Sequence, residues 1–109
     1  MGKEYFSWSE KIGGEVIMRI YISGGISGVE DYKKKFADAE QALYLEGYQP
    51  FNPTKLDFPN LDYEEYMKLD FCLLDMCDAI YMLKGWENSR GANLEYGYAS
   101  AKGKIIMTE

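Results

Sequence analysis

From residue 18 onward, short apolar runs alternate with longer segments in which apolar residues recur at helical spacing. Residues 18–23 form a β-branched and aromatic run that stops at two consecutive glycines, which indicates a first strand. Between residues 31 and 46 the apolar positions recur every three or four residues and Gly47 follows, which predicts a helix. The domain therefore begins with a strand and a helix.

The rest of the chain continues this alternation. It predicts, in order, a weak strand at 48–51 that ends in Asn52-Pro53, a loop at 54–60, a helix from an Asp62 cap to about residue 76, a buried strand at 78–83, a loop at 84–88, a helix from a Ser89 cap through Lys102, and a closing strand at 104–107. The order predicts a Rossmann-like (flavodoxin-like) three-layer α/β/α fold whose parallel sheet has about four strands. Such sheets bind ligands at the carboxyl ends of their strands.

Residues 1–17 do not follow this alternation. They carry Phe6 and Trp8 among polar residues and glycines. We expect an N-terminal extension, whether an added helix, a docking arm or a partly ordered tail, in front of one α/β domain at 18–109. A chain of 109 residues that is 47% hydrophobic can bury a core, because a domain of this size hides roughly two thirds of its unfolded surface.

The absence of histidine removes whole classes of chemistry. Without imidazole there is no Ser-His-Asp or Cys-His nucleophile pair and no HExxH zinc site, so acid–base work falls to carboxylates, tyrosine, lysine or cysteine. The 12 Lys+Arg against 18 Asp+Glu give a net charge of −6, which argues against a nucleic-acid polymer as partner. We expect a small-molecule ligand, and neither a metal nor an organic cofactor.

Two further observations bear on the compartment. No apolar run approaches the roughly 20 residues that span a bilayer, and the N-terminus lacks the apolar core of a signal peptide. We therefore expect a cytoplasmic protein with no membrane partner. Cys72 and Cys77 lack the CxxC spacing of redox and zinc motifs, so we expect two small, buried, reduced thiols.

The turn after the first strand is rich in glycine. Glycines let the backbone approach a ligand, and free N–H groups can hold an anion. The spacing is not GxGxxG, and Asn52 stands where a dinucleotide site needs an acid, which disfavours NAD. A tight turn without a ligand fits the same residues. The candidate binding residues here are Ser23, Gly24, Gly25, Ser27 and Gly28.

Two acidic residues are candidates for chemistry. Asp70 lies in an apolar stripe of its helix with Tyr66 and Leu74, where burial would raise its pKa and suit it to donate a proton. An Asp70 in water at the edge of the stripe fits the same spacing. Glu95 lies in the second turn after Ser89, beside small residues that leave room for a ligand. An ordinary surface glutamate is the alternative there.

Aromatic residues allow two interpretations as well. Tyr21 lies in the first strand, where a buried phenol needs a hydrogen-bond partner that a carboxylate across the crevice could supply. Trp86, together with tyrosines near the crevice, could hold a planar base between rings. Both residues fit plain core packing equally well.

Four segments together resemble the nucleoside deoxyribosyltransferase-like family, and most closely a short branch of it from bacteria and their phages, a domain of unknown function. They are residues 20–24, 66–70, 77–81 and 89–99. The resemblance runs from residue 18 to residue 107. Its most specific part is the stretch S-x-G-A-x-x-E-x-G-x-A at 89–99.

The resemblance implies a role for each candidate. By position Glu95 would be the nucleophile that attacks the anomeric carbon and holds the sugar as an ester until a second base or water takes it. Asp70 would protonate or orient the base, and Tyr21 would hydrogen-bond the nucleophile. In relatives that act on nucleotides the serine before the glycine binds phosphate, which implies this role for Ser89 and Gly91, with Ser23 and the glycine turn.

The chain also departs from the family pattern. Family members carry a further strand and C-terminal residues that complete a neighbour's site, whereas here the closing strand is followed almost at once by Glu109. Residues 85–88 lack the aspartate that contacts the base in the best-known members, unless Glu87 replaces it. Since members of the family assemble, we expect a homodimer or a higher homo-oligomer.

Three hypotheses about function follow. The first is an enzyme that cleaves the N-glycosidic bond of a nucleoside or nucleoside monophosphate, or transfers its deoxyribosyl group, through Glu95. The second is a non-catalytic module of the same fold that binds a nucleotide. The third is a protein-interaction domain in which the acidic surface and the N-terminal extension matter more than the crevice.

Overall fold

A computed structural model of the protein describes residues 17–109 and contains one parallel β-sheet with helices on both faces. The strands are β1 (Arg19–Ser23), β2 (Gln49–Phe51), β3 (Ala79–Met82) and β4 (Ile105–Thr108), in the sheet order β2-β1-β3-β4. The helices are α1 (Tyr32–Leu45), α2 (Tyr63–Asp75) and α3 (Arg90–Ala101). The predicted three-layer α/β/α fold is confirmed.

Each predicted strand and helix is present with its ends shifted by only one or two residues. The connections at 54–60 and 84–88 are not plain loops, because each overlaps a short 3-10 turn, Pro53–Lys55 and Trp86–Asn88. The predicted extension at 1–17 lies outside the described residues except for its last residue. Among the helices of the described part of the chain, none is both long and apolar enough to cross a membrane.

The alternation of side chains along β1 divides the core into two layers. Ile20 and Ile22 pack with Phe36 of α1 on one face of the sheet. Tyr21 points to the opposite face and packs with Ala92 of α3 there. Since successive strand residues point to opposite faces, Ser23 lies on the same face as Tyr21. β1 therefore carries apolar packing towards α1 and two hydroxyl groups towards α2 and α3.

Hydrogen bonds at their N-termini fix where α2 and α3 begin. The Asp62 side chain accepts from the Glu65 N–H at 2.8 Å, and the Glu65 side chain accepts from the Asp62 N–H at 3.0 Å, which forms a capping box. The Ser89 hydroxyl caps α3 by accepting from the Ala92 N–H at 3.2 Å. Both predicted caps are confirmed.

The two cysteines lie in different environments. Cys77 is buried in the core on the α3 side of the sheet, as expected, and both thiols are free. The expectation of a buried Cys72 is wrong, because Cys72 is exposed on α2. Cys72 is two residues from the buried Leu74, which on a helix turns its side chain about 200° away from the core.

The capping box predicts the effect of one substitution. Asp62→Ala removes the oxygen that accepts from Glu65 N–H and should lower the free energy of unfolding by about 1 kcal/mol. Urea denaturation at neutral pH measures this. Asp31→Ala is the matched control, because Asp31 occupies the N-cap of α1 without a side-chain cap hydrogen bond. Equal losses in the two variants would contradict the assignment.

Candidate active site

A cavity of about 610 Å³ opens at the carboxyl ends of the strands. Its walls come from the turn after β1, the start of α1, the connection between β2 and α2, one face of α2, and the start of α3. A crevice in this place is where parallel sheets place their ligands. Tyr21, Asp70 and Glu95 all line it, so three candidates from distant parts of the sequence meet in one cavity.

Glu95 forms the centre of this arrangement. Its side chain is only 5% exposed. The Tyr21 hydroxyl donates to Glu95 Oε2 at 2.7 Å, and the Ser23 hydroxyl donates to Glu95 Oε1 at 2.6 Å. Each carboxylate oxygen thus accepts one short hydrogen bond from β1. Such bonds to a charged acceptor are roughly twice as strong as bonds between neutral groups.

The local sequence explains why Glu95 points at the sheet. Ala92, Glu95 and Ala99 are the buried residues of α3, and their spacing of three and four places them on one helix face. The two alanines bring this face close to the sheet because their side chains are small. Glu95, between them, has the length to reach the hydroxyls of β1.

Asp70 lies on α2 and is half-buried. Its carboxyl group interacts directly with that of Glu95. Burial raises the pKa of Asp70, although its contact with Glu95 lowers it. Asp70 therefore belongs to the same acidic pair as Glu95 rather than to the solvated edge of its helix.

The environment of Glu95 works in two directions. Burial raises the pKa of Glu95, the hydrogen bonds from Ser23 and Tyr21 lower it, and the neighbouring Asp70 raises it. Because the two carboxyl groups interact, they titrate as a pair in two steps, with pKa values of about 6 and about 8, and the pair holds one proton at neutral pH. Burial, and next the charge of Glu95, raise the pKa of Tyr21 well above its usual value, so its phenol remains a donor.

An acidic pair with one proton has two complementary capacities. The ionised carboxylate can act as a nucleophile towards an electrophilic carbon, while the protonated one can donate to a leaving group. Retaining glycosidases divide their work between two carboxyl groups in this way. No group of three or more His, Cys, Asp or Glu side chains between residues 17 and 109 is arranged to hold a metal ion.

The predicted binding residues fall into two groups. Gly24, Ser27, Ser89 and Gly91 line the cavity. The residues that do not line it are Ser23, Gly25, Gly28 and Trp86. Ser23 is 1% exposed and bound to Glu95, and Trp86 packs on Tyr96 with ring centroids 4.9 Å apart. Glu87, the possible substitute for a base-contacting aspartate, also lies outside the lining.

Packing accounts for one of the lining glycines. A Cβ atom at Gly24 would lie 2.9 Å from the side chain of Leu83, which is too close for any other residue without a shift. The glycine at this position therefore lets the end of β1 approach the chain after β3. This gives Gly24 a packing role whether or not a ligand contacts it.

Several lining residues were not singled out as binding candidates from the sequence. Tyr63 and Tyr66 come from α2, and Tyr63 is seven residues before Asp70, so the helical stripe of Asp70 could have been extended to it. The Tyr66 hydroxyl donates to the Phe58 carbonyl at 2.6 Å and accepts from the Phe58 N–H at 3.0 Å. This ties the β2–α2 connection to the helix.

Three charged lining residues carry no pattern that would have revealed them: Lys33, Asp57 and Arg90.

A family model for a domain of unknown function, DUF4406, matches residues 18–108. The chain belongs to the DUF4406 family. No curated protein sequence matches this DUF4406 chain at a significant level.

Three solved structures share the fold. A conserved protein from Enterococcus faecalis V583 superposes with a TM-score of 0.68 at 19% identity, over 85% of this chain and 63% of that one. A 2-deoxyribosyltransferase from Bacillus psychrosaccharolyticus superposes with a TM-score of 0.66 at 21% identity, over 83% of this chain and 70% of that one. The CMP N-glycosidase BcmB of Clostridium botulinum superposes with a TM-score of 0.59 at 27% identity, over 83% of this chain and 66% of that one. The resemblance inferred from the sequence is thus confirmed in the fold, and this DUF4406 chain spans roughly two thirds of each structure's length.

Burial of the pair predicts how stability depends on pH. Because burial raises the pKa values of both Glu95 and Asp70 in the folded state, the pair binds its proton more tightly there than in the unfolded chain. The free energy of unfolding should therefore fall as pH rises from about 4.5 towards about 8. Glu95→Gln, which cannot ionise, should flatten most of this dependence in urea titrations at pH 5, 7 and 9.

An exposed carboxyl group provides the control for this experiment. Glu64→Gln, in the first turn of α2, should retain the wild-type dependence on pH. A Glu95→Gln variant that loses stability with pH as steeply as the wild type would show that Glu95 does not cause the loss.

Proposed function

We propose that the protein cleaves the N-glycosidic bond of a nucleoside or nucleoside monophosphate, or transfers its deoxyribosyl group, with Glu95 as the nucleophile. The observation that carries the proposal is the buried Glu95 carboxylate at the wall of a cavity. It accepts hydrogen bonds from two hydroxyl groups and interacts with a second carboxyl group, that of Asp70. The cavity volume of about 610 Å³ is in the range of small-molecule sites. Two structures of the same fold are named a 2-deoxyribosyltransferase and a CMP N-glycosidase, which supports this class of reaction.

The proposed reaction has two steps. A Glu95 oxygen attacks the anomeric carbon, the bond from carbon to the base nitrogen breaks, and its electron pair leaves with the base. Asp70 supplies the proton that the departing base takes up, so the base leaves neutral. Water or a second base then attacks the anomeric carbon of the Glu95 ester. Asp70 accepts the proton of that nucleophile, and Glu95 is released as a carboxylate.

Unpaired cations on the cavity wall favour a substrate with a phosphate group. Lys33 and Arg90 both line the cavity, and neither forms an ion pair with a residue of the described chain. The Arg90 guanidinium lies 5.6 Å from the centre of the Tyr63 ring, which holds it in place. In a protein with a net charge of −6, two such cations beside an acidic pair suit an anionic end of the substrate.

The first experiment measures release of free base. Purified wild-type protein and Glu95→Ala are incubated with a panel of nucleosides and nucleoside monophosphates, with and without an acceptor base, and the products are separated by chromatography. We expect free base, or an exchanged base, from the wild type alone. Binding of a panel member that survives Glu95→Gln, with no turnover by the wild type, would favour the non-catalytic binding module instead.

The acidic pair predicts a bell-shaped dependence of kcat/KM on pH. Activity needs one proton on the pair, so it should rise with a pKa near 6 and fall with a pKa near 8. Asp70→Asn removes the acid and should lower kcat by about 100-fold or more while abolishing the fall at high pH. An unchanged profile in that variant would rule out Asp70 as the proton donor.

The cationic wall predicts a difference between substrates. Arg90→Gln should raise KM for a nucleoside monophosphate by roughly 10-fold and leave KM for the matching nucleoside nearly unchanged, because a charge-assisted hydrogen bond contributes about 1.5–3 kcal/mol. Lys102→Gln is the control, since Lys102 also lies over a tyrosine ring, Tyr98, but outside the cavity lining. Equal effects of Arg90→Gln on both substrates would refute phosphate recognition by Arg90.

A further inference from the structure

We propose that Ser23 is a positioning residue which, together with Tyr21, keeps Glu95 as the ionised carboxyl of the acidic pair and leaves the shared proton on Asp70. The catalytic consequence of this assignment rests on the function proposed above. Ser23 was a candidate for contact with the ligand, but its hydroxyl is turned to Glu95 Oε1 at 2.6 Å and the residue is 1% exposed. Its place in the site is behind the nucleophile.

The direction of the hydrogen bonds carries the inference. An ionised carboxyl group only accepts, whereas a protonated one must place its own proton on one of its oxygens. Both Glu95 oxygens already accept from hydroxyl donors, Ser23 on one and Tyr21 on the other. The carboxylate form satisfies both donors, so the proton of the pair belongs on Asp70, which has no such donors among the hydrogen bonds of the described residues.

Ser23 and Tyr21 contribute to this assignment in different ways. The Tyr21 phenol also packs in the core on the α3 side of the sheet, so its loss changes packing as well as hydrogen bonding. The Ser23 backbone is held independently of its hydroxyl, because its carbonyl accepts from Leu83 N–H at 2.8 Å and the residue pairs with Met82 of β3. Removal of the Ser23 hydroxyl therefore tests the hydrogen bond with the strand in place.

Other charged groups near Glu95 have to be considered in any dependence on pH. Tyr21 on β1 and Asp70 on α2 are the titratable groups that act on Glu95. Lys33 of α1, Asp57 of the β2–α2 connection and Arg90 of α3 line the same cavity. None of these groups changes in a Ser23 variant, so a change in the titration of Glu95 there is assigned to the missing hydroxyl.

The decisive experiment follows the carboxyl carbons of Glu95 and Asp70 by NMR in protein labelled with ¹³C at these side chains. Glu95→Gln and Asp70→Asn provide the assignments. In the wild type we expect Glu95 to titrate in the lower step of the pair and Asp70 in the upper step. In Ser23→Ala the Glu95 midpoint should move up by about one pH unit, since a hydrogen bond to a charged group is lost. An unmoved midpoint would overturn the proposal.

Two variants sharpen this comparison. Ser23→Cys keeps the size of the side chain but offers only a weak donor, so its shift should lie between those of the wild type and Ser23→Ala. Ser100→Ala removes a serine hydroxyl from an exposed position at the end of α3 and should leave the titration unchanged. If the Glu95 midpoint shifts equally in Ser23→Cys and Ser23→Ala, the proposal is supported only if both shifts exceed that in Ser100→Ala. Equal shifts of the midpoint in all three variants would refute it.

Kinetics supply a second readout once a substrate is known. In Ser23→Ala the acid limb of kcat/KM should move to higher pH by the same amount, and the maximum should fall. A merely structural role would lower kcat/KM equally at every pH. The NMR measurement does not depend on turnover. If the Glu95 midpoint moves in Ser23→Ala but the wild type releases no base from any substrate, the proposed function fails and the role of Ser23 stands.

Discussion

Burial of the Glu95 carboxyl group is the constraint on which the rest of the site depends. Its cost in a core of apolar side chains is offset only because β1 supplies a hydroxyl to each oxygen and α2 supplies a second carboxyl group that can take the proton. Three elements must meet within hydrogen-bonding distance for this to hold. The parallel sheet provides the meeting point, since the ends of β1 and β3 lie side by side and α3 follows β3 directly.

Much of the fold follows from local signals in the sequence. The glycines after β1, α1 and α3, the Asp62 and Ser89 caps and the apolar strands each mark a boundary that the structure places within a residue or two. Asp70 and Tyr21 were identifiable as candidates because each places a polar group in an apolar pattern, and Glu95 because small residues beside it leave room for a ligand. The roles proposed for them came from the resemblance, since a pattern along one chain does not show which polar groups face each other.

Contacts across the fold explain what the sequence could not reveal. Ser23 adjoins a glycine turn and was grouped with it, yet strand alternation directs its side chain to the same face as Tyr21, where the partner is 72 residues away. Trp86 was a candidate for stacking on a base, but its ring packs on Tyr96, in the second turn of α3, and neither residue lines the cavity. Lys33, Asp57 and Arg90 reach the cavity from three separate segments, and no spacing connects them.

The five residues of β1 serve packing and chemistry on alternate positions. Ile20 and Ile22 hold α1, while Tyr21 and Ser23 hold Glu95. Insertion or deletion of one residue within this strand would exchange the two sets and place hydroxyls against α1 and isoleucines against the carboxylate. Evolution can therefore change this strand by substitution but hardly by a change of length. A change of length would disrupt the site and the apolar core at the same time.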